Sequence, residues 1–213
     1  MTNRGRRLVA WILGFGLLAT AAVAGAGLFL DASTDDAAAD DEAPEVPVPM
    51  IEPPSGTADA VPTERISVAA SSFLVPDGEI TYDPGNTVDG DPSTAWNSDT
   101  NGADVRGQTL TFRFTEPVGL TAIRLVNGYA KNPDIFAANH RIRELEVRTD
   151  GGVQRVSLLD TSEEQEITFD FGTTSKVELE VIEIYEGAGF DDPELTSDLA
   201  LSEIDFVAIQ RQS

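Results

Sequence analysis

The sequence predicts an all-β domain, a β-sandwich, carried behind one N-terminal membrane helix and an acidic tether. Three observations carry that reading. From residue 64 onward, apolar and polar residues alternate with period two, as half-buried antiparallel strands require. Turn formers separate the alternating runs at Glu116-Pro117, Asp150-Gly151-Gly152, Gly172 and Gly187 to Gly189. The chain opens on an uncharged apolar run, and no helical period of useful length follows Leu30.

Residues 1–7 form a short basic tail with Arg4, Arg6 and Arg7. Residues 8–30 are the apolar run, and about 20 such residues span a bilayer core as a helix. Trp11 stands where an interfacial aromatic belt would hold it, and arginines before the run with acids after it place the N-terminus in the cytoplasm. Two readings are open. One is an uncleaved signal anchor in the cell membrane. The other is a cleaved signal peptide cut near Ala22, Ala24 or Ala26, although its apolar core exceeds the usual h-region of about 7–15 residues. Both put the remainder outside the cytoplasm. Residues 31–63 are the tether, with nine acids, no basic residue before residue 64 and six prolines. Such a segment buries too little apolar surface to offset its ordering entropy, and proline stiffness with charge repulsion extends it.

Residues 64–213 form the globular domain, long enough for one core. Leu110, Phe112 and Phe114 alternate with polar neighbours, as do Ile167, Phe169 and Phe171, and Val177, Leu179 and Val181. Further strands are expected at 122–126, 145–147, 153–159 and 201–209. With no cysteine, the core alone must hold this fold. The net charge of −23 argues against a nucleic-acid partner, whose phosphates would be repelled.

Two loops hold the candidate chemistry. Asn86 to Trp96, NTVDGDPSTAW, gathers two carboxylates, a hydroxyl and turn-directed carbonyls, an all-oxygen set suited to calcium. The same residues equally make a turn closed by Asx bonds, with Trp96 plugging the core. Asn127 to Arg143, NGYAKNPDIFAANHRIR, offers an aromatic ring with amides and cations: Asn127, Tyr129, Lys131, Asn132, Asn139, His140 and Arg141. Sugars take such a mixture, a ring against their apolar face and amides or guanidinium for their hydroxyls. A capping loop with Ile135 and Phe136 tucked beneath accounts for it as well. A third loop, 186–198, carries Asp191, Asp192, Glu194 and Asp198, which either bind a cation or are solvated charges. Catalysis is not expected: there is one histidine, no G-x-S-x-G elbow, no phosphate-cradling loop and no zinc set.

SSFL, YDPGNTVDGDPSTAW, LTAIRLVNGYAKNPDIFAANHRIRELEV and the terminal SEIDF together resemble the discoidin (coagulation factor five/eight type C) superfamily of galactose-binding-like domains. The similarity is greatest to the bacterial variety named after NAD-glycohydrolase toxins, a glycan-binding part and not the catalytic one. The resemblance runs from about Ser67 to Val207. It implies a jelly-roll β-sandwich with its terminal strands side by side, and carbohydrate or cell-envelope glycan as the partner. It implies a structural calcium held by Asp89, Asp91, Thr94 and Glu203, some through backbone oxygen. It places Asn127, Tyr129, Lys131, Asn139 and Arg141 on the signature loop, as ligand contacts or as braces. The chain departs from the pattern at residues 193–201, PELTSDLAL, which intervene before the SEI strand. A protein–protein or sensor module on the outer membrane face is the alternative function; loops free of a continuous apolar run favour sugar.

Overall fold

The computed structural model describes residues 10–11, 57–99, 104–169, 172–191 and 197–209. Apart from Ala10 and Trp11, the expected membrane helix lies outside the described residues, as does the tether up to residue 56. Among the described residues no helix is long and apolar enough to cross a membrane.

The strands are β1 (Ala10–Trp11), β2 (Ala58–Ala60), β3 (Ile66–Ala70), β4 (Trp96–Asn97), β5 (Thr109–Asn127), β6 (Arg141–Thr149), β7 (Gly152–Ser157), β8 (Gln165–Thr168), β9 (Thr173–Tyr185) and β10 (Ala200–Ile209). One six-residue helix, α1 (Pro133–Ala138), interrupts them. All the strands belong to one hydrogen-bonded network. It folds into two layers because β5 changes partners along its length. Leu110 to Phe114 pair with β3, and Thr109 to Arg113 pair with β9, which rejoins β5 briefly at Val118 and Gly119. Gly119 to Val126 pair with β10, and Ala122 to Leu125 with β8. The changeover falls at Glu116-Pro117, where the register with β9 is broken; proline has no N–H to give the ladder. The first layer runs β3, β5, β9, β6, β7, and the second is β10 flanked by β5, β2 and β4, with β8 beyond β5. β1 runs parallel to the start of β8, so Ala10 and Trp11 are extended where the sequence predicts the membrane helix.

The alternation read from the sequence is the alternation observed. Leu110, Phe112 and Phe114 are buried along β5, and Val177, Leu179 and Val181 along β9. Phe112 and Phe114 of one layer meet Phe206 of β10, with ring centroids 4.9 and 5.2 Å apart and tilted or edge-on rings, the favoured aromatic arrangement. The buried phase of β5 slips between Ala122 and Ile123, just after Thr121, an extra residue opposite the Val207/Ala208 step. Its hydroxyl donates to the Val207 carbonyl at 3.1 Å.

The fold begins before Glu64. β2 lies antiparallel to the end of β10, and Val61 is buried with its N–H on the Phe206 carbonyl at 2.7 Å. The terminal strands are therefore neighbours. All three β2 side chains are exposed, so only backbone pairing holds them and no apolar pattern marks them.

Candidate functional site

One end of β10 gathers both candidate loops. Ala200 and Leu201 pair with Asn97 and Trp96 of β4. Isolated bridges join Leu201 to Gly128 and Leu199 to His140. The segments 96–98, 128–140 and 198–201 thus meet there.

The first loop opens with a 3-10 turn, Pro84–Val88, capped by Asp83, whose carboxylate accepts from the Gly85 N–H at 2.8 Å. Asn86 is buried, and its amide donates to the Thr81 and Ala95 carbonyls, pinning the loop's two ends. Trp96 is fully buried, with its indole N–H on the Ser72 carbonyl at 2.9 Å. Asp89 accepts from the Asp91 N–H (2.8 Å), Asp91 from the Ser93 N–H (2.9 Å), and the Thr94 hydroxyl lies 2.8 Å from Asp89 Oδ2. These are the Asx bonds of the turn reading. Those to Ser93, side chain then backbone, hold the Asp91 carboxyl below its usual range. Gly90, at φ +79°, takes the left-handed conformation that points its N–H at Glu203 Oε2, 3.0 Å away.

Asp89 and Glu203 are therefore brought to one place from positions far apart in the chain. Burial, then the charges of Asp89 and Asp205, raise the Glu203 carboxyl to about 7. A divalent cation would remove that penalty. With the Thr94 hydroxyl and loop carbonyls, the donor set is all oxygen, as calcium requires. The side chains alone are sparse: among the described residues no three His, Cys, Asp or Glu are grouped to hold a metal.

The second loop is largely scaffold. Asn127 is fully buried; its amide donates to the Ile142 carbonyl at 2.7 Å and accepts from the Ile142 N–H at 3.0 Å. Arg141 is buried beside α1. Its guanidinium forks onto Asp160 at 2.9 and 2.8 Å and donates to the Asn139 and Glu186 carbonyls at 2.9 and 3.1 Å. It also lies over the Phe136 ring, 5.3 Å from its centroid. His140 accepts from the Gly187 N–H at 2.9 Å, and burial pushes its pKa down. Of the five residues expected at the ligand, Asn127 and Arg141 are buried, with polar atoms on their own backbone neighbours and on Asp160. Lys131 is exposed.

Tyr129 and Asn139 come together in a depression of about 330 Å³. Tyr129 is mostly buried, packed with Ala95, Ala200, Tyr82 and Ile135. Asn139 is also buried and already engaged, donating to the Ile135 carbonyl and accepting from the Asp198 N–H. The other polar residues lining it are Tyr82, Asn97, Asp77 and Asp198, and Leu74, Val75 and Phe190 form apolar walls. Asn97 is 3% exposed, and its Oδ1 is buried without a hydrogen-bond partner. Burial, then Asp77 and Asp198, raise the Tyr82 phenol; burial, then Tyr82 and Asp91, raise that of Tyr129. The depression is therefore a neighbour of the Asp89–Asp91 turn.

Sequence reasoning missed Tyr82, Asn97 and Asp77. Tyr82 opens the YDPGNTVDGDPSTAW motif and Asn97 follows it, so both stood beside the strongest signal. Asp191 of the third loop is exposed, and Asp192 and Glu194 lie outside the described residues.

The model of the NAD glycohydrolase translocation F5/8 type C domain matches residues 61–207. No curated protein matches the chain significantly. Among solved structures, the family 32 carbohydrate-binding module of NanJ from Clostridium perfringens, in complex with galactose, is 17% identical with a TM-score of 0.51. It covers 71% of this chain and 99% of its own. The C. perfringens module CpGH89CBM32-5, in complex with GalNAc-β-1,3-galactose, is 17% identical with a TM-score of 0.51, covering 70% and 99%. A putative chitobiase fragment from Bacteroides thetaiotaomicron is 11% identical with a TM-score of 0.56, covering 78% and 99%. At these identities the likeness is one of fold.

Proposed function

Because the chain belongs to the NAD glycohydrolase translocation F5/8 type C domain family, we propose that it is a non-catalytic module that takes a glycan into the depression beside Tyr129. The observation that carries this reading is the lining itself. Two aromatic rings, Tyr82 and Tyr129, stand with a buried, unpartnered amide oxygen, Asn97 Oδ1, under apolar walls. A sugar presents the complement, an apolar ring face edged with hydroxyl donors. Two solved structures of the same fold are complexes with galactose and with GalNAc-β-1,3-galactose, which supports the class of ligand. The apolar run at 8–30 anchors the chain in the cell membrane, and the acidic tether holds the module away from it on the outer face. Calcium, held by Asp89, Asp91, Thr94 and Glu203, braces the loop from Asn86 to Trp96 against β10 and carries no chemistry.

The test is a glycan array probed with the full-length chain in detergent micelles with calcium present. Specific binding that Tyr82→Ala removes is the expected result; a blank array from folded protein refutes the glycan reading. The calcium part is checked separately. Calcium raises the unfolding temperature and Asp89→Ala abolishes the rise, whereas no rise in the wild type refutes it.

A protein partner is the second reading, and one observation favours it. Phe73, Val75 and Ile80, three exposed large hydrophobics, crowd the segment that borders the depression. Crosslinking in the native membrane, after a blank array, would test that reading.

A further inference from the structure

We infer that Asn86 is the positioning residue of the depression: its side-chain amide holds Tyr82 at the spacing from Asn97 and Tyr129 that a sugar ring fills. The inference rests on the glycan reading and adds a residue that shapes the site without lining it.

One wall of the depression is placed by the sandwich itself. Asn97 belongs to β4, which is laddered to β10, and its carbonyl accepts from the Leu74 N–H at 3.0 Å. Tyr129 stands between Gly128, bridged to Leu201, and Ala130, whose N–H is on the Ser202 hydroxyl at 2.9 Å. Asn139 is tied through its side chain to Ile135 and Asp198. Each of these residues is bonded to β10 or to a neighbour of it.

Tyr82 has no such ladder. It ends a segment, 75–81, in which every residue is exposed, and the bonds between Asp77 and Ile80 are internal to that segment. Among the described residues, the hydrogen bonds that join 75–82 to the rest of the domain are those between Thr81 and Asn86. Tyr82 is nevertheless half-buried, packed on the cluster of Ala95, Tyr129 and Ala200.

The Asn86 nitrogen donates to the Thr81 carbonyl at 2.8 Å and to the Ala95 carbonyl at 3.0 Å. One amide thus clips the backbone beside Tyr82 to a member of the cluster on which Tyr82 packs. Asn86 is itself fixed, buried in the 3-10 turn with its N–H on the Asp83 carbonyl at 3.0 Å. The task needs two N–H groups on one side-chain nitrogen. Aspartate has the same shape but only accepts, and would face two carbonyls; alanine reaches neither.

The chain has three tyrosines, Tyr82, Tyr129 and Tyr185. The full-length chain made with 3-fluorotyrosine, in detergent micelles, therefore gives three fluorine resonances, assigned by replacing each tyrosine with phenylalanine in turn. Asn86→Asp and Asn86→Ala should shift or broaden the Tyr82 resonance. They should leave in place that of Tyr185, whose phenol is on the Leu158 carbonyl and which does not line the depression. A Tyr82 resonance that stays, or a Tyr185 resonance that moves as far, would overturn the inference. Affinity is then measured by calorimetric titration with neutral disaccharides of galactose, glucose, mannose and N-acetylglucosamine. Both Asn86 variants should weaken the tightest of them about tenfold. Thr174→Val, which removes a buried hydroxyl bonded to Asp150 and Lys176 at the far end of β9, should leave affinity unchanged. Equal losses in all three variants would mean a general loosening and would overturn the inference. So would tight binding that neither Asn86 variant weakens, although the glycan reading would then stand. No binding of any disaccharide, together with a blank array, would overturn both. If neither Asn86 variant folds, the wild type decides. A bound disaccharide should slow exchange of the Asn86 side-chain amide protons about threefold or more, because a ligand on Tyr82 and the clip behind it stabilise each other. An exchange rate that the disaccharide leaves unchanged would overturn the inference.

Discussion

Replacing Arg141 separates a brace from a ligand contact. The guanidinium makes a bidentate bond to Asp160 and donates to the backbone of Asn139 and Glu186 from a buried position. Arg141→Leu leaves one carboxylate and those carbonyls without their donor. Removing one partner of a buried pair costs about 3–5 kcal/mol. The Asp160 side chain is 38% exposed and would be rehydrated, which puts the expected loss at the lower end, about 3 kcal/mol. For a domain of this size that corresponds to a fall in Tm of about 6–12 °C. Arg141→Lys keeps the charge and loses the fork, so it should fall between leucine and wild type. Urea denaturation followed by tryptophan fluorescence suits the assay, since Trp96 is fully buried. A leucine variant within about 1 kcal/mol of wild type would refute the bracing argument. A lysine variant of unchanged stability that no longer binds glycan would return Arg141 to the ligand.

Two further expectations concern the same end of the sandwich. A Cβ on Gly187 would sit 2.1 Å from the Ala138 carbonyl oxygen and 2.7 Å from the Asn139 backbone, so Gly187→Ala should destabilise by about 2–3 kcal/mol in thermal melts. Glu203 gives a pH dependence. Its folded pKa, about 7, lies above the ordinary 4.5, so the folded state holds this proton more tightly than the unfolded. In chelator, stability should therefore be greatest below about pH 4.5 as far as this group is concerned and should fall as pH rises through 7. The fall should be about 1–2 kcal/mol after discounting for partial exposure. Glu203→Gln should flatten that slope between pH 5 and 8, and a slope unchanged by the substitution would refute the assignment.

The fold was readable where side chains alternate in contrast. Phe112 and Phe114 between Thr111, Arg113 and Thr115 leave one register, and the structure adopts it. β2 was not readable, because its exposed residues are held only by backbone bonds to β10. α1 was missed because six residues are too few to establish a helical period. In the candidate site, the motif located Asn127 and Arg141, but only the fold shows that both are buried and hydrogen-bonded within the loop's own framework. Asn97 carried no local signal: its place in the depression depends on β4 pairing with β10, a contact between residues about a hundred positions apart.

The long strand β5 has a consequence for how the domain opens. Its first half is laddered into one layer and its second half into the other, with no break in the chain between them. Neither layer can detach without stretching the strand that belongs to both. Amide hydrogens on Phe112 and on Leu125, in different layers, should therefore exchange with solvent through one shared global opening and not through two separate local ones.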